Sequence, residues 1–385
     1  MSAVAAAQRL ARLRSVMAEL GVGSVFTADP INLLYASGVR NMTVFSMMGP
    51  SRFALVTADR VTVWEYGGSE HLAADSMADE VLAAPAISPV FDPGHQLGVS
   101  ALVGQIVDRL PEGATLAVER IEFEVIDALR AKAVQLSSAT EVFVAARVRK
   151  TPAEIDLMRH SMAVTTTAVE QTRAALEPGR TEVEVWAEFH RSLIASDGEY
   201  VSTRLAQSGP RTFPYFQEAS TRVIEPGDLF CLDTDAIGPA SYAADFSRTW
   251  CCGAAPTEVQ RRLHATAARQ LRHNSALLEP GRSFRSFAAE AWQLPDEHRA
   301  YGYSCLAHGL GLCGEYPYIP TVGDGPWTFD GTFEPGMVLC IESYVGSPEA
   351  GQGVKLEDQF LVTEDGVERM SALDLALTMD PSEGD

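Results

Sequence analysis

Two stretches of this chain recur in the same order, and that recurrence limits the folds open to it. "LEPGRTEVEVWAEF" from Leu176 returns as "LEPGRSFRSFAAEA" from Leu278. "IEPGDLFCLD", ending at Asp233, returns as "FEPGMVLCIE", ending at Glu342. Each member of the second pair is a turn, an apolar strand and an acid at the same offset from the glycine. One E-P-G turn arises by chance, but two pairs in one order point to an internal duplication. The later part of the chain is therefore read as two related halves that each bring a carboxylate to the same place.

At 385 residues the chain is long for a single core, so a separate N-terminal domain is expected. "SVFTA", "FALVTADRVTVWEY" and "TLAVER" read as strands, the second as two strands around a turn at Ala58 to Arg60. "FEVIDALRAKAV" reads as a helix. This is an α/β pattern. Leu10, Leu13, Met17 and Leu20 follow helical spacing with Gly21 as the stop, and Arg9, Arg12 and Arg14 interrupt any signal-peptide core. A second domain starts where Thr151 can cap a helix, Pro152 suits its first position and Glu154 completes a capping box. The expected domains are 1–146 and 147–385.

The net charge of −21 works against nucleic acid or an acidic membrane surface as a partner. No apolar run approaches the length that spans a bilayer. All six cysteines (Cys231, Cys251, Cys252, Cys305, Cys313, Cys340) lie after residue 230 with no C-x-x-C pair, which suits reduced thiols in a cytoplasmic protein and core positions.

The carboxylates carry the chemistry. Asp233 and Asp235 are two apart in "LFCLDTDAIG", so on a strand both would point to one face. Like charges that close, away from water, repel and take up protons unless something offsets them. Asp245 and Glu357 follow Asp233 and Glu342 downstream, and His308 stands between the halves. Oxygen donors with one imidazole suit two divalent ions such as Mn, Fe, Co or Zn. Taken singly, each acid is more often solvated or salt-bridged, and Glu357 beside Lys355 reads as an exposed pair of little worth.

These motifs resemble a known family. The order D…D…H…E…E, "HGLG" at His308, "EPGMVLCIE", "KLEDQFLV" and the opening R-x-x-K-T-P-A-E-I are similar to the pita-bread fold of creatinase, prolidase and aminopeptidase P. "ADPINLLYASG" is similar to the creatinase-type N-terminal domain, so the likeness covers nearly the whole chain. It implies an α/β N-terminal domain, an α+β pita-bread domain with a pseudo-twofold duplication, and a homodimer with the N-terminal domain near the partner's active site. It also implies that Asp233, Asp245, His308, Glu342 and Glu357 are metal ligands. Within the family, "RLAQSGPRTFPYFQE", "DTDAIGPASYAADFSRTW" and "HGLGLCGEYP" resemble the dimethylsulfoniopropionate lyases, which implies Asp235 as a sixth ligand.

Two departures bear on function. Prolidases and aminopeptidase P place a substrate-contacting histidine where this chain has Glu315. The lyases place an aspartate base where it has Gly314. A lost base typically costs a factor of about 100 to 10,000. The leading expectation is a dinuclear metallohydrolase for a small amide or amino-acid-like substrate, in which metal ions acidify a water and polarise a carbonyl. Glu342 would shuttle the water's proton, and Glu315 would face the substrate and favour a cationic group. The alternative is β elimination to dimethyl sulfide and acrylate, with Tyr303 or Glu315 as the base. A non-catalytic scaffold is disfavoured because all six ligand positions are filled.

Overall fold

A computed structural model describes residues 3–40, 42–90, 92–321 and 330–378. The chain divides into two compact units, Met1–Arg147 and Val148–Asp385.

The first unit is built on a mixed six-stranded sheet. Its strands are β1 (Ser24–Thr27), β2 (Phe53–Thr57), β3 (Val61–Glu65), β4 (Glu80–Ala83), β5 (Thr115–Glu119) and β6 (Gln135–Ser138), in the spatial order β4-β3-β2-β1-β5-β6. β1, β2 and β3 are buried along their whole length, which requires cover on both faces and explains their continuous apolar character. Phe26 anchors this core, 5.7 Å from Phe53 and 5.9 Å from Trp64. The N-terminal helix runs Ala3–Glu19 with Leu10, Leu13 and Met17 buried, whereas Leu20 falls past its end and is exposed. "DPINLLYAS" forms a helix over Pro30–Ser37, with Asp29 accepting from the backbone amides of Ile31 and Asn32.

The second unit has the expected pseudo-twofold plan. Its strands are β7 (Tyr200–Val201), β8 (Ala206–Ser208), β9 (Leu229–Asp233), β10 (Ala236–Ile237), β11 (Ala243–Ala244), β12 (Ser247–Cys251), β13 (Cys305–Leu310), β14 (Gly314–Pro320), β15 (Val338–Ser347), β16 (Gln352–Val362) and β17 (Val367–Arg369). The principal sheets run β12-β9-β8 and β14-β13-β15-β16-β17. Each half opens with a long helix, Pro152–Ala175 and Glu258–Ala276, whose capping boxes use Thr151 with Glu154 and Thr257 with Gln260. Each then has a shorter helix, Glu182–Ala195 and Phe284–Glu290, that begins after the repeated L-E-P-G-R turn.

The backbone hydrogen bonds repeat as well. Gly179 N donates to Ile224 O at 2.9 Å, and its counterpart Gly281 N donates to Phe333 O at 2.7 Å. Gly227 N donates to Cys252 O at 2.7 Å, and Gly336 N to Val362 O at 2.9 Å. Gly227 and Gly336 have φ of 88° and 90°, a left-handed conformation that a side chain would strain. The E-P-G glycine therefore fixes where each acid-bearing strand begins.

Arg248 fastens the halves together. It lies on β12 of the first half, is almost fully buried, and donates to Glu357 O at 2.7 Å and Asp358 Oδ1 at 2.7 Å on β16 of the second. It also donates to Leu373 O and Asp374 O. Breaking a buried, hydrogen-bonded charge pair from one side typically costs about 3–5 kcal/mol. Arg248→Leu should therefore lower the unfolding free energy by roughly that amount in chemical denaturation, and a loss well under about 1 kcal/mol would remove Arg248 from this role.

Candidate metal centre

The acids come from both halves, at the end of a first-half strand and in the middle of the second-half strands. Asp233 is the last residue of β9, Asp235 stands two residues later, and Asp245 lies between β11 and β12. His308 lies on β13, Glu342 on β15 and Glu357 on β16. The β15–β16 register sets Glu342 directly opposite Glu357, and β13 lies against the other edge of β15. All six residues proposed as ligands from sequence are thus in one neighbourhood. The route to Asp235 differs from the simple strand expectation. β9 ends at Asp233, and Asp235 takes φ of 38° before β10 begins. Its carboxylate reaches the cavity through a kink in the chain rather than by strand alternation.

The distances are short and the burial is deep. His308 Nε2 lies 3.3 Å from Glu342 Oε1, 3.6 Å from Glu357 Oε1 and 3.8 Å from Asp245 Oδ2. The other ring nitrogen, Nδ1, is 3.1 Å from Gly309 O, which can only accept, so Nδ1 carries a proton and Nε2 faces the acids. Thr203 donates to Asp235 Oδ2 at 2.5 Å, and Tyr215 donates to Asp233 Oδ2. Ser247 Oγ is 2.7 Å from Asp233 Oδ1 and 2.8 Å from Glu357 Oε2, so its single proton serves one of the two.

Lys355 overturns the reading of its pair with Glu357 as exposed. Both side chains are about 1% exposed. The ammonium lies 2.8 Å from Glu357 Oε2, 2.7 Å from Glu342 Oε2 and 3.5 Å from Asp233 Oδ2, beneath the rings of Tyr215 and Tyr303. Glu342 Oε2 is near it but off the angle of a hydrogen bond, and Glu357 Oε1 is likewise buried without a hydrogen-bonding partner.

Charge decides whether a metal fits here. Five carboxylates face one ammonium and one imidazole. Burial, then the Asp233 charge, pushes the Asp235 carboxyl up to about 7. Burial and Glu357 raise Asp245 well above the ordinary carboxylate range and raise Glu342. Glu357 is held low despite its burial by Lys355 and His308. His308 is raised against its own burial by Glu342 and Glu357, and Lys355 is raised against its burial by Asp233 and Glu342. Such a cluster holds protons in the absence of further cations and would exchange them for divalent ions. Together with Glu357 Oε1, which is buried with no partner at hydrogen-bond distance, the oxygen-rich donor set fits metal binding.

A cavity of about 370 Å3 opens on the cluster. Asp233, Asp235, Asp245, His308 and Glu342 line it, with Phe216, Tyr303, Cys313 and Gly314. Tyr303 is thus where sequence placed it. Glu315 is not. Its carboxylate is buried against Lys150, with Oε2 2.9 Å from Nζ, and Oε1 accepts from Leu312 N at 3.0 Å. Along β14 side chains alternate, so the cavity side falls to Gly314 and Glu315 turns to Lys150. The expectation that Glu315 faces substrate as a second base is corrected accordingly.

Sequence reasoning passed over Ser247, Tyr215 and Thr203, and it read Lys355 as an exposed partner and Cys340 as core. Three of these were within reach, because Lys355, Ser247 and Cys340 each lie two residues from a proposed ligand. Tyr215 and Thr203 arrive through loops and had no such signal.

Comparison with known proteins decides the family. Residues 156–364 match metallopeptidase family M24, and residues 9–149 match the creatinase/prolidase N-terminal domain. The chain belongs to metallopeptidase family M24. A dimethylsulfoniopropionate lyase DddP of Roseovarius nubinhibens is 33% identical over 375 residues, covering 94% of this chain and 84% of that protein. A Xaa-Pro dipeptidase of Pyrococcus furiosus is 27% identical, covering 94% and 97%. Among solved structures, a prolidase from Pyrococcus furiosus is similar with a TM-score of 0.77 at 23% identity, covering 94% of this chain and 99% of that one. This M24 chain therefore has the pita-bread fold and is a metal-dependent hydrolase or lyase. No helix among its described residues is long and apolar enough to cross a membrane.

The sign of the pH dependence follows from the raised carboxyls. Asp235 holds its proton more tightly in the folded chain (about 7) than at its ordinary value of 3.8. Its contribution to stability is present at low pH and is lost as pH rises from about 4 to about 7. Bound metal replaces the proton and removes that loss. The gap in melting temperature between metal-loaded and chelated protein should widen across this range, and a constant gap would contradict the assignment.

Proposed function

We propose that this M24 protein is a dinuclear metal-dependent hydrolase that cleaves a small amide or amino-acid-like substrate, acting as a homodimer in the cytoplasm. The cavity wall carries the reading. Apart from the proposed ligands, the described lining residues offer Tyr303 and Cys313 as the only ionisable side chains. Hydrolysis needs no further base there, whereas elimination does. Six cysteines that form no disulfide among the described residues support a reducing compartment, and the likeness to the pita-bread family supports the dimer.

Asp233, Asp235, Asp245, His308, Glu342 and Glu357 would hold the metal ions. Divalent ions there supply positive charge that polarises a substrate carbonyl and makes water acidic enough to attack near neutral pH. Glu342 takes the water's proton as its oxygen bonds the carbonyl carbon, then passes that proton to the nitrogen as the C–N bond breaks. Lys355 orients Glu342 and Glu357, and Thr203 fixes Asp235. Tyr303, raised by burial and by Glu342, keeps its hydroxyl proton and serves as a hydrogen-bond donor to substrate oxygen rather than as a base.

A second reading is β elimination from a dimethylsulfoniopropionate-type substrate, supported by the 33% identity over 94% of the chain. Phe216 and Tyr303, with ring centroids 5.4 Å apart, offer π faces to a sulfonium cation. Gly314 distinguishes the readings. A Cβ built there meets nothing within 4 Å, so Gly314→Asp adds a side chain to the cavity wall with no clash at its root.

Asp245→Ala should abolish metal binding and turnover together, read by metal analysis alongside amide hydrolysis on a panel of dipeptides and N-acyl amino acids. In headspace assays the wild-type protein should release no dimethyl sulfide from dimethylsulfoniopropionate. Gly314→Asp should release dimethyl sulfide at about 100 times the assay background or more if the substrate enters as the second reading requires. Asp245-dependent release by the wild-type protein would reject the hydrolase reading in favour of the lyase.

A further inference from the structure

Cys340 does not belong with the other core thiols. It lies two residues before Glu342 on β15, so strand alternation points both side chains to one face. The β13–β15 register sets it directly opposite His308. The residue is fully buried, and its sulfur lies 3.6 Å from Asp245 O and beside the Glu357 carboxylate. One ligating atom from each of Asp245, His308, Cys340 and Glu357 lies within 4.8 Å of all the others. Cys231, by contrast, is turned to structural partners, with Thr249 Oγ1 3.1 Å and Gly353 O 3.5 Å from its sulfur.

A second observation in the same group points to a cation. Glu357 Oε1 is buried with no partner at hydrogen-bond distance and with His308 Nε2 3.6 Å away, so an ion seated between the two would satisfy both. Four donors at this separation suit a four-coordinate ion with bonds of about 2.0–2.3 Å once the side chains close on it.

We propose that Cys340 Sγ is a ligand of the metal that Asp245, His308 and Glu357 hold, which makes the centre a mixed thiolate, imidazole and carboxylate site. This rests on the reading of the acid cluster as a metal centre. When the metal binds, a sulfur–metal bond forms and the thiol proton passes to solvent. The soft donor biases the site toward zinc, iron(II) or cobalt and away from manganese or magnesium.

Cobalt(II) added to the metal-free, full-length protein separates the possibilities. Bound cobalt is counted by metal analysis after dialysis, and ligation by sulfur is read from a near-ultraviolet thiolate-to-cobalt charge-transfer band. The wild-type protein should bind cobalt and show the band. Cys340→Ser should lose the band and bind cobalt at least about tenfold more weakly, since even outer-shell partners are worth that much. Cys231→Ser should keep both. Cobalt bound by the wild-type protein without the band overturns Cys340 as a ligand and leaves the metal centre standing. No cobalt bound at all overturns the metal centre, and the thiolate with it. The wild-type spectrum decides the question even if Cys340→Ser fails to fold.

Discussion

Five buried carboxylates share a pocket with one lysine and one histidine, and the rest of the second unit is arranged around that imbalance of charge. Lys355 touches Glu342, Glu357 and the edge of Asp233, so it orders the acids before any ion arrives. It cannot neutralise them all. Asp235, Asp245 and Glu342 answer by holding protons more tightly, and divalent ions resolve the same conflict with more charge per site. The hydrogen bonds from Thr203, Tyr215 and Ser247 aim the remaining lone pairs, which makes the pocket a prepared site rather than a loose set of acids.

Duplication is how the chain gathers so many acids in one place. Each half provides a turn fixed by an E-P-G glycine and a strand that carries a carboxylate six residues past it, and each half has its own apolar core. Neither half alone has the full set, because His308, Glu342 and Glu357 come from the second and the aspartates from the first. Arg248 joins the halves one residue from Ser247, which itself touches acids of both. The fastening of the halves and the geometry of the cluster are therefore mechanically the same feature.

The cavity wall shows how little separates related chemistries on this fold. Along β14 one residue faces the cavity and the next faces away, so the choice of side chain at position 314 decides whether a free base stands over the acids. Here that position is glycine, and the neighbouring carboxylate of Glu315 is committed to Lys150. The ion pair holds the turn from Gly311 to Gly314 in place, with Leu312 N also bound to Glu315, and so acts on the shape of the cavity rather than on substrate.

Periodicity, punctuation and repetition are local properties, and the sequence by itself determined what depends on them. Capping residues marked the long helices, E-P-G turns marked the duplicated strands, and the repeated acids marked the ligand positions. Fold class and the candidate cluster were legible for that reason. What only the tertiary structure decided depends on which face a side chain takes and what lies across from it. Glu357 and Lys355 look like a solvated pair until β16 is seen buried between its neighbours. Glu315 looks available until alternation on β14 turns it to a lysine far away in sequence. Cys340 looks like core until the register of β13 against β15 sets it opposite His308. Burial and cross-strand register are set by long-range pairing, and no short stretch of sequence contains them.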